Sequence, residues 1–449
     1  MRLLHPLAHP VWRGRDLGSI GAILLLAAAA LAQEPSVAPE RLPPWMDPIV
    51  DQLQAPAPDV ESSLPQMADD EQSEELDRLI PPEGSLVVPN RLSSPPISGC
   101  KPIAAQEDLV SAARKRADGR YVVQRAGVDQ LLTLDGELQE KLREIIKGYQ
   151  TPYAAVVAIE PATGKVLAMA EHSQRDPAMH GLPTKAVFPA ASIFKVITAS
   201  ALLDAGIRPE DSQCFHGGKR RISEKLLLDS PRDRVCYPLS TALAMSANVV
   251  FAKLTYKHLT AEKLRSLASA FHFNRAIDFP IPTEISLAAI PEDPLGLASA
   301  GSGFGDVYLS PLHAAAIAAA VATGGLWHDP VLVESGEQAR DPERMIAEDN
   351  ARQLTEMLEQ TVSAGTARRV FRERGFRVAG AVGKTGSLAD RNPFRDYSWF
   401  IGFAPKWDPR IAVAAVVVNE AKWRIRATWL AREAMRLYLD SKNALANRR

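Results

Sequence analysis

Strand-like runs stand at both ends of the patterned part of this chain, with helical periodicity between them. Near its start, Ala154-Ala-Val-Val-Ala-Ile159 and Lys165-Val-Leu-Ala-Met169 are short apolar runs separated by Pro161-Ala-Thr-Gly164. That pattern predicts an antiparallel hairpin. Near its end, Val378–Ser387, Tyr397–Phe403 and Ile411–Val418 have the same character. Asp135 to Lys147 sets Leu138, Leu142, Ile145 and Ile146 on one helical face, and Ser192 to Ala205 reads as a strongly apolar helix stopped by Gly206. A largely helical stretch continues to about residue 365, and a final helix is expected over Thr428–Leu439. Strands at both ends with helices between them imply one mixed sheet covered by helices, an α+β architecture.

Charge separates this region from what precedes it. Residues 33–99 hold thirteen Asp or Glu against three Arg, and thirteen of the 34 prolines, in a chain whose formal net charge is only −1. High charge and high proline without apolar periodicity predict an extended or disordered acidic linker. Residues 1–32 have the parts of an export signal. Arg2, Arg13 and Arg15 precede the apolar run Gly18–Leu31, and Ala30-Leu-Ala32 supplies a small-x-small site before Gln33. An uncleaved membrane anchor is the competing reading; either one puts the remainder outside the cytoplasm. The expected organisation is a signal or anchor (1–32), a linker (33–103), a lead-in (104–129), a folded domain (130–440) and a tail (441–449).

The three cysteines, Cys100, Cys214 and Cys236, include no CxxC, and the nine histidines show no H-E-x-x-H, so no metal site is expected. Cys214 and Cys236 flank a polar, Gly-containing excursion, and an oxidising compartment favours a disulfide between them over two free thiols. Ile97-Ser-Gly-Cys100 has no apolar run before it and does not read as a lipidation box. Arg368, Arg369, Arg372, Arg374 and Arg377 form a basic face that reads as solvated rather than as a surface for an anionic polymer.

Three short motifs carry possible chemistry. In Ser192-Ile-Phe-Lys195 the lysine lies one helical turn from the serine, among Val196, Ile197, Ala199, Leu202 and Leu203. Desolvation there lowers a lysine's pKa and leaves an amine able to take a proton from a serine nucleophile. On its own the serine is as well explained as an N-cap. Ser98 to Lys101 repeats the spacing within the linker. Ser246-Ala-Asn248 places a hydroxyl and a carboxamide two residues apart, although Ser441-Lys-Asn443 repeats that too. Lys384-Thr-Gly386, followed by Ser387, ends a strand-like run, so Lys384 and Gly386 share a face. A glycine on an edge strand lets another backbone approach closely, as a peptide laid alongside would require. A P-loop reading of Gly383-Lys-Thr385 fails, because its first glycine would be Val378 and another strand-like run follows.

Taken in order, Ser-x-x-Lys, Ser-x-Asn and Lys-Thr-Gly are the signature of penicillin-recognising serine enzymes. Flanking segments narrow the likeness, among them Val157-Ala-Ile-Glu-Pro161, Thr163-Gly-Lys-Val-Leu-Ala-Met169, Ser310-Pro-Leu312 and Tyr397-Ser-Trp-Phe-Ile-Gly-Phe-Ala-Pro405. Over residues 130–440 the chain resembles the transpeptidase domain of high-molecular-weight penicillin-binding proteins without a glycosyltransferase domain. Two departures are Ala191, where the family usually has glycine, and Ser387, where it usually has threonine. The resemblance implies a central, mainly antiparallel sheet covered by helices. It implies a serine D,D-transpeptidase that cross-links peptidoglycan stem peptides and is acylated by β-lactams, with no cofactor and with other cell-wall synthesis proteins as candidate partners. Ser192 would be the nucleophile, Lys195 its base, and Ser246 the proton carrier to the leaving amine. Asn248 would hold the substrate amide and Lys384 supply positive potential. Thr385 and Ser387 would bind the terminal carboxylate beside Gly386, and the Ser192 and Ser387 N–H groups would form the oxyanion hole. A carboxypeptidase or β-lactamase on the same fold, and a non-catalytic β-lactam receptor, are the alternatives.

Overall fold

The computed structural model of the protein describes residues 109–125, 127–218, 221–334, 340–391, 393–421 and 424–446. The export segment, the acidic linker, Cys100 and the Ser98–Lys101 repeat expected from sequence lie outside the described residues.

A five-stranded sheet is assembled from both ends of the folded region. Its strands are β1 (Tyr153–Ile159), β2 (Val166–His172), β3 (Val382–Arg391), β4 (Phe394–Ala404) and β5 (Ile411–Asn419). Their order is β3-β4-β5-β1-β2, and every neighbouring pair is antiparallel. All residues of β1 and β5 are buried, so both faces of the sheet centre are covered. This explains why those two runs are apolar throughout and do not alternate. On one flank β3 is the outer strand, with Lys384 opposite Ile401 and Gly386 opposite Trp399 on β4.

The helices that matter here are α1 (Gly136–Gly148), α2 (Lys195–Asp204), α3 (Asn248–His258), α4 (Pro311–Ala322), α5 (Glu348–Ser363) and α6 (Ala427–Ala446); α1, α4, α5 and α6 pack on the sheet, while α2 packs on α3 and α5. The Asp135 carboxylate caps α1 by accepting from the Leu138 N–H at 3.0 Å. α4 opens with Ser310 as N-cap and Pro311 at its first position, and its alanines let it lie close against β4, β5 and β1. α1 and α6 pack together on the opposite face. Between α2 and α3 a two-stranded ribbon, Ser212–Phe215 with Val235–Pro238, closes the polar excursion, and Cys214 and Cys236 stand opposite one another in a disulfide.

Some boundaries differ from expectation. β3 begins at Val382, because Gly380 takes a left-handed turn (φ 62°) that ends the preceding loop. α6 runs through Ala446, past the expected limit at 440, and Lys442 on its last turns meets Asp135 at 2.7 Å. The lead-in contains a small sheet of Arg114–Lys115, Tyr121–Arg125 and Val128–Leu131. Among the described residues no helix is long and apolar enough to cross a membrane, and no cluster of metal-binding side chains occurs.

Candidate active site

The three motifs are brought together by three different supports. The first comes from a two-residue strand, Phe188–Pro189, whose end is tied to the sheet by the Trp399 indole N–H donating to the Pro189 carbonyl at 2.9 Å. The chain then makes a 3₁₀ turn over Ala191–Phe194 and continues directly into α2. Ser192 is therefore not the N-cap that its position suggested. It sits inside the turn and makes no capping bond, because its hydroxyl is engaged by Lys195, whose Nζ lies 2.7 Å from Ser192 Oγ. Ala191 holds a left-handed conformation (φ 48°), which accounts for glycine as the family's usual choice there.

Lys195 is fully buried. Asn248, the first residue of α3, accepts from Lys195 Nζ through Oδ1 at 2.7 Å. Burial, and next the charge of Lys384, hold the Lys195 amine well below the ordinary lysine range. In the neutral state such an amine keeps a lone pair for the serine proton.

Ser246 follows the short helix Leu239–Ala244, also in a left-handed conformation (φ 58°). Its hydroxyl accepts from Lys384 Nζ at 2.9 Å, and Lys384 donates further to the Thr385 carbonyl at 2.8 Å. Lys384 projects inward from β3, is fully buried, and is pushed down by that burial to about 7. Thr385 points the other way and meets the Thr366 hydroxyl at 2.5 Å, and Ser387 is exposed on the same side. Gly386 differs from expectation. A Cβ there would lie 3.1 Å from Ile193 and 3.2 Å from Trp399, so its glycine serves close packing of β3 on the Ser192 turn.

Several contributors were not visible as motifs. Ser302 Oγ donates to the Asn248 carbonyl at 2.9 Å, fixing the start of α3. Behind Ser192, Gly303 (φ 87°) fills a gap in which a Cβ would lie 2.2 Å from the Ala191 carbonyl oxygen. The glycine density of Gly301-Ser-Gly-Phe-Gly305 is the available signal for this close approach. Thr366 had no signal of its own.

The disulfide-closed excursion is held to α3 by charges. Lys253, fully buried, meets Asp233 at 2.5 Å and Asp229 at 3.3 Å, while His216 reaches the other Asp233 oxygen at 2.5 Å. Burial alone would raise the Asp233 carboxyl, but hydrogen bonds from His216 and Lys253 outweigh it and hold it well below the usual carboxylate range.

Comparison with known proteins agrees with this fold. The family described as penicillin binding protein transpeptidase domain matches residues 154–435. The peptidoglycan D,D-transpeptidase PbpA of Mycolicibacterium smegmatis is 30% identical over 315 residues, which cover 61% of this chain and 63% of that protein. The match thus spans less than two thirds of that relative's length. The crystal structure of a D,D-transpeptidase domain from Eggerthella lenta superposes with a TM-score of 0.60 at 22% identity, covering 74% of this chain and 95% of that one. Penicillin-binding protein A of Mycobacterium tuberculosis, solved as an imipenem acyl-enzyme complex, gives a TM-score of 0.54 at 25% identity, covering 69% of this chain and 79% of that one. With Ser192-x-x-Lys195, Ser246-x-Asn248 and Lys384-Thr-Gly386 drawn together in a matching fold, the chain belongs to the penicillin-binding protein transpeptidase domain family.

Proposed function

We propose that this protein is a serine D,D-transpeptidase of peptidoglycan, working outside the cytoplasm through an acyl-enzyme on Ser192 and open to acylation by β-lactams. The observation that carries this reading is Lys195 itself, fully buried, 2.7 Å from Ser192 Oγ and without a carboxylate partner among the described residues. A serine hydroxyl becomes a useful nucleophile only beside such a base.

In the forward reaction Ser192 Oγ attacks the carbonyl of the penultimate D-Ala as its proton passes to Lys195 Nζ. Backbone N–H groups of Ser192 and Ser387 take the developing oxyanion, a contribution of about 3–4 kcal/mol for one such donor in a comparable site. Ser246 relays a proton to the departing D-Ala nitrogen, with Lys384 at 2.9 Å as its source. Thr385 and Ser387 hold the terminal carboxylate, Asn248 the peptide amide, and the stem peptide lies beside β3. An acceptor amine then attacks the ester and regenerates Ser192. Other cell-wall synthesis proteins are the partners such a reaction calls for.

The test is incubation of the purified chain with a labelled penicillin, followed by peptide mapping, then with a stem pentapeptide and an amine acceptor. A single adduct on Ser192, absent in Ser192→Ala, and an amide-linked product are expected. An adduct on another serine sinks the nucleophile assignment, and release of free acid alone in the presence of the amine turns the reading to a carboxypeptidase.

A further inference from the structure

Directly after Thr366, the residue whose hydroxyl touches Thr385, the chain enters an arginine-rich stretch. Residues 364–380 contain Arg368, Arg369, Arg372, Arg374 and Arg377 against one carboxylate, Glu373. All five guanidinium groups are on exposed residues. Glu373 does not neutralise them, because it is paired with Arg432 of α6. Among the described residues none of the five is ion-paired. Arg368 is two residues from Thr366, so its Cα lies within about 8 Å of that residue at the cleft mouth. A field of one sign beside a cleft raises the local concentration of oppositely charged substrate.

We propose that this arginine face is a second binding surface for the carboxylate-bearing peptidoglycan polymer, holding neighbouring stem peptides of the strand whose peptide occupies the cleft. The inference rests on the transpeptidase reading and adds to it a substrate class, a polymer in preference to a single free peptide. Each stem peptide ends in a carboxylate, so a strand presents negative charge at repeated intervals. Guanidinium forks match carboxylates with two parallel hydrogen bonds. A membrane surface is the less suitable occupant. Phe371 is buried, Phe376 is covered by Arg432 and Arg436, and exposed Trp407 lies against Gly380, at the end of the stretch away from Thr366, as a single aromatic without an apolar face around it.

The experiment uses the full chain and its R368Q/R369Q/R372Q/R374Q variant, with purified insoluble un-cross-linked peptidoglycan as the probe. Exposed Arg→Gln changes leave the fold intact. Co-sedimentation at low ionic strength should weaken by roughly tenfold or more in the variant, and the difference should vanish at about 1 M salt, where the screening length falls to about 3 Å. The corresponding Arg→Lys variant should retain most of the binding, and polymer with its carboxylates converted to methyl esters should bind wild type no better than it binds the Gln variant. Acylation of Ser192 by a small labelled penicillin is measured in parallel and should be unchanged. Loss of that acylation in wild type defeats the transpeptidase reading. Intact acylation with equal sedimentation of wild type and Gln variant overturns the polymer surface alone. Undiminished binding of the esterified polymer, or arginine-dependent capture of phosphatidylglycerol vesicles without capture of peptidoglycan, overturns it as well.

Discussion

The floor of the cleft and the disulfide-closed excursion both bury lysines completely, and they use them in opposite ways. In the cleft, Lys195 and Lys384 meet only neutral groups: two hydroxyls, a carboxamide and a backbone carbonyl. In the excursion, Lys253 meets the carboxylates of Asp233 and Asp229. Burial disfavours an unpaired charge, so the cleft amines are driven toward their neutral form, in which one can accept a proton. A buried ammonium opposite a carboxylate remains part of a pair that is hard to break. The kind of partner, more than the depth of burial, separates a lysine that reacts from a lysine that anchors.

The strongest way to break this contrast is to remove one lysine from each region. Lys195→Met should slow penicillin acylation about 10²–10⁴-fold, the usual size of general-base assistance, while cooperative thermal unfolding persists. A rate near wild type would remove Lys195 from the mechanism. Lys253→Met should do the reverse, taking the lysine from buried Asp233 and leaving it only His216, at a cost of up to about 3–5 kcal/mol in urea denaturation. The acylation rate constant of molecules that remain folded should change little. If Lys253→Met slowed acylation as much as it lost stability, the two regions could not be treated as distinct.

A finer test uses pH. Lys384's charge is one cause of the low pKa of Lys195, so removing it raises the pKa of Lys195. The neutral fraction of Lys195 at a given pH then falls. The acid limb of kcat/KM for acylation should therefore move to higher pH in Lys384→Met. In wild type the basic limb should fall near about 7, where Lys384 loses its proton in the free protein. An acid limb that stays in place in Lys384→Met would show that the two amines do not sense each other. The smallest effect is expected at Ala191. Replacing it with glycine relieves a left-handed alanine at some entropic cost, for a net gain of about 0.5–1 kcal/mol. Thermal melts should show a small rise with acylation unaltered, and a fall would mean that the alanine methyl group is needed for packing.

Much of the frame was legible in the chain because strand and helix periods are local properties. The hairpin of β1 and β2, the helix over Asp135–Lys147 and the closing strands follow from apolar spacing, and the three motifs are short and contiguous. The interplay between them was not legible. Ser192 reads as an N-cap until a lysine is seen holding its hydroxyl, and Gly386 reads as an opening for substrate until Ile193 and Trp399 are found against it. Thr366, Ser302 and Trp399 act through contacts with residues far away in sequence, and such contacts leave no periodic trace. The charges around Asp233 read as no more than a polar excursion because nothing local tells that Lys253, on α3, lies against them.

The gap filled by Gly303 has a consequence for which substitutions the Ser192 turn can tolerate. Any other residue there would set a Cβ 2.2 Å from the Ala191 carbonyl oxygen and 3.1 Å from the Ser192 Cα, in a backbone conformation that side chains rarely adopt. On the proposed mechanism a substitution at this position displaces Ser192 for a β-lactam and a stem peptide alike, so it cannot set one apart from the other. Side chains have more room to vary at exposed Thr366, which meets Thr385 without touching the Ser192 turn.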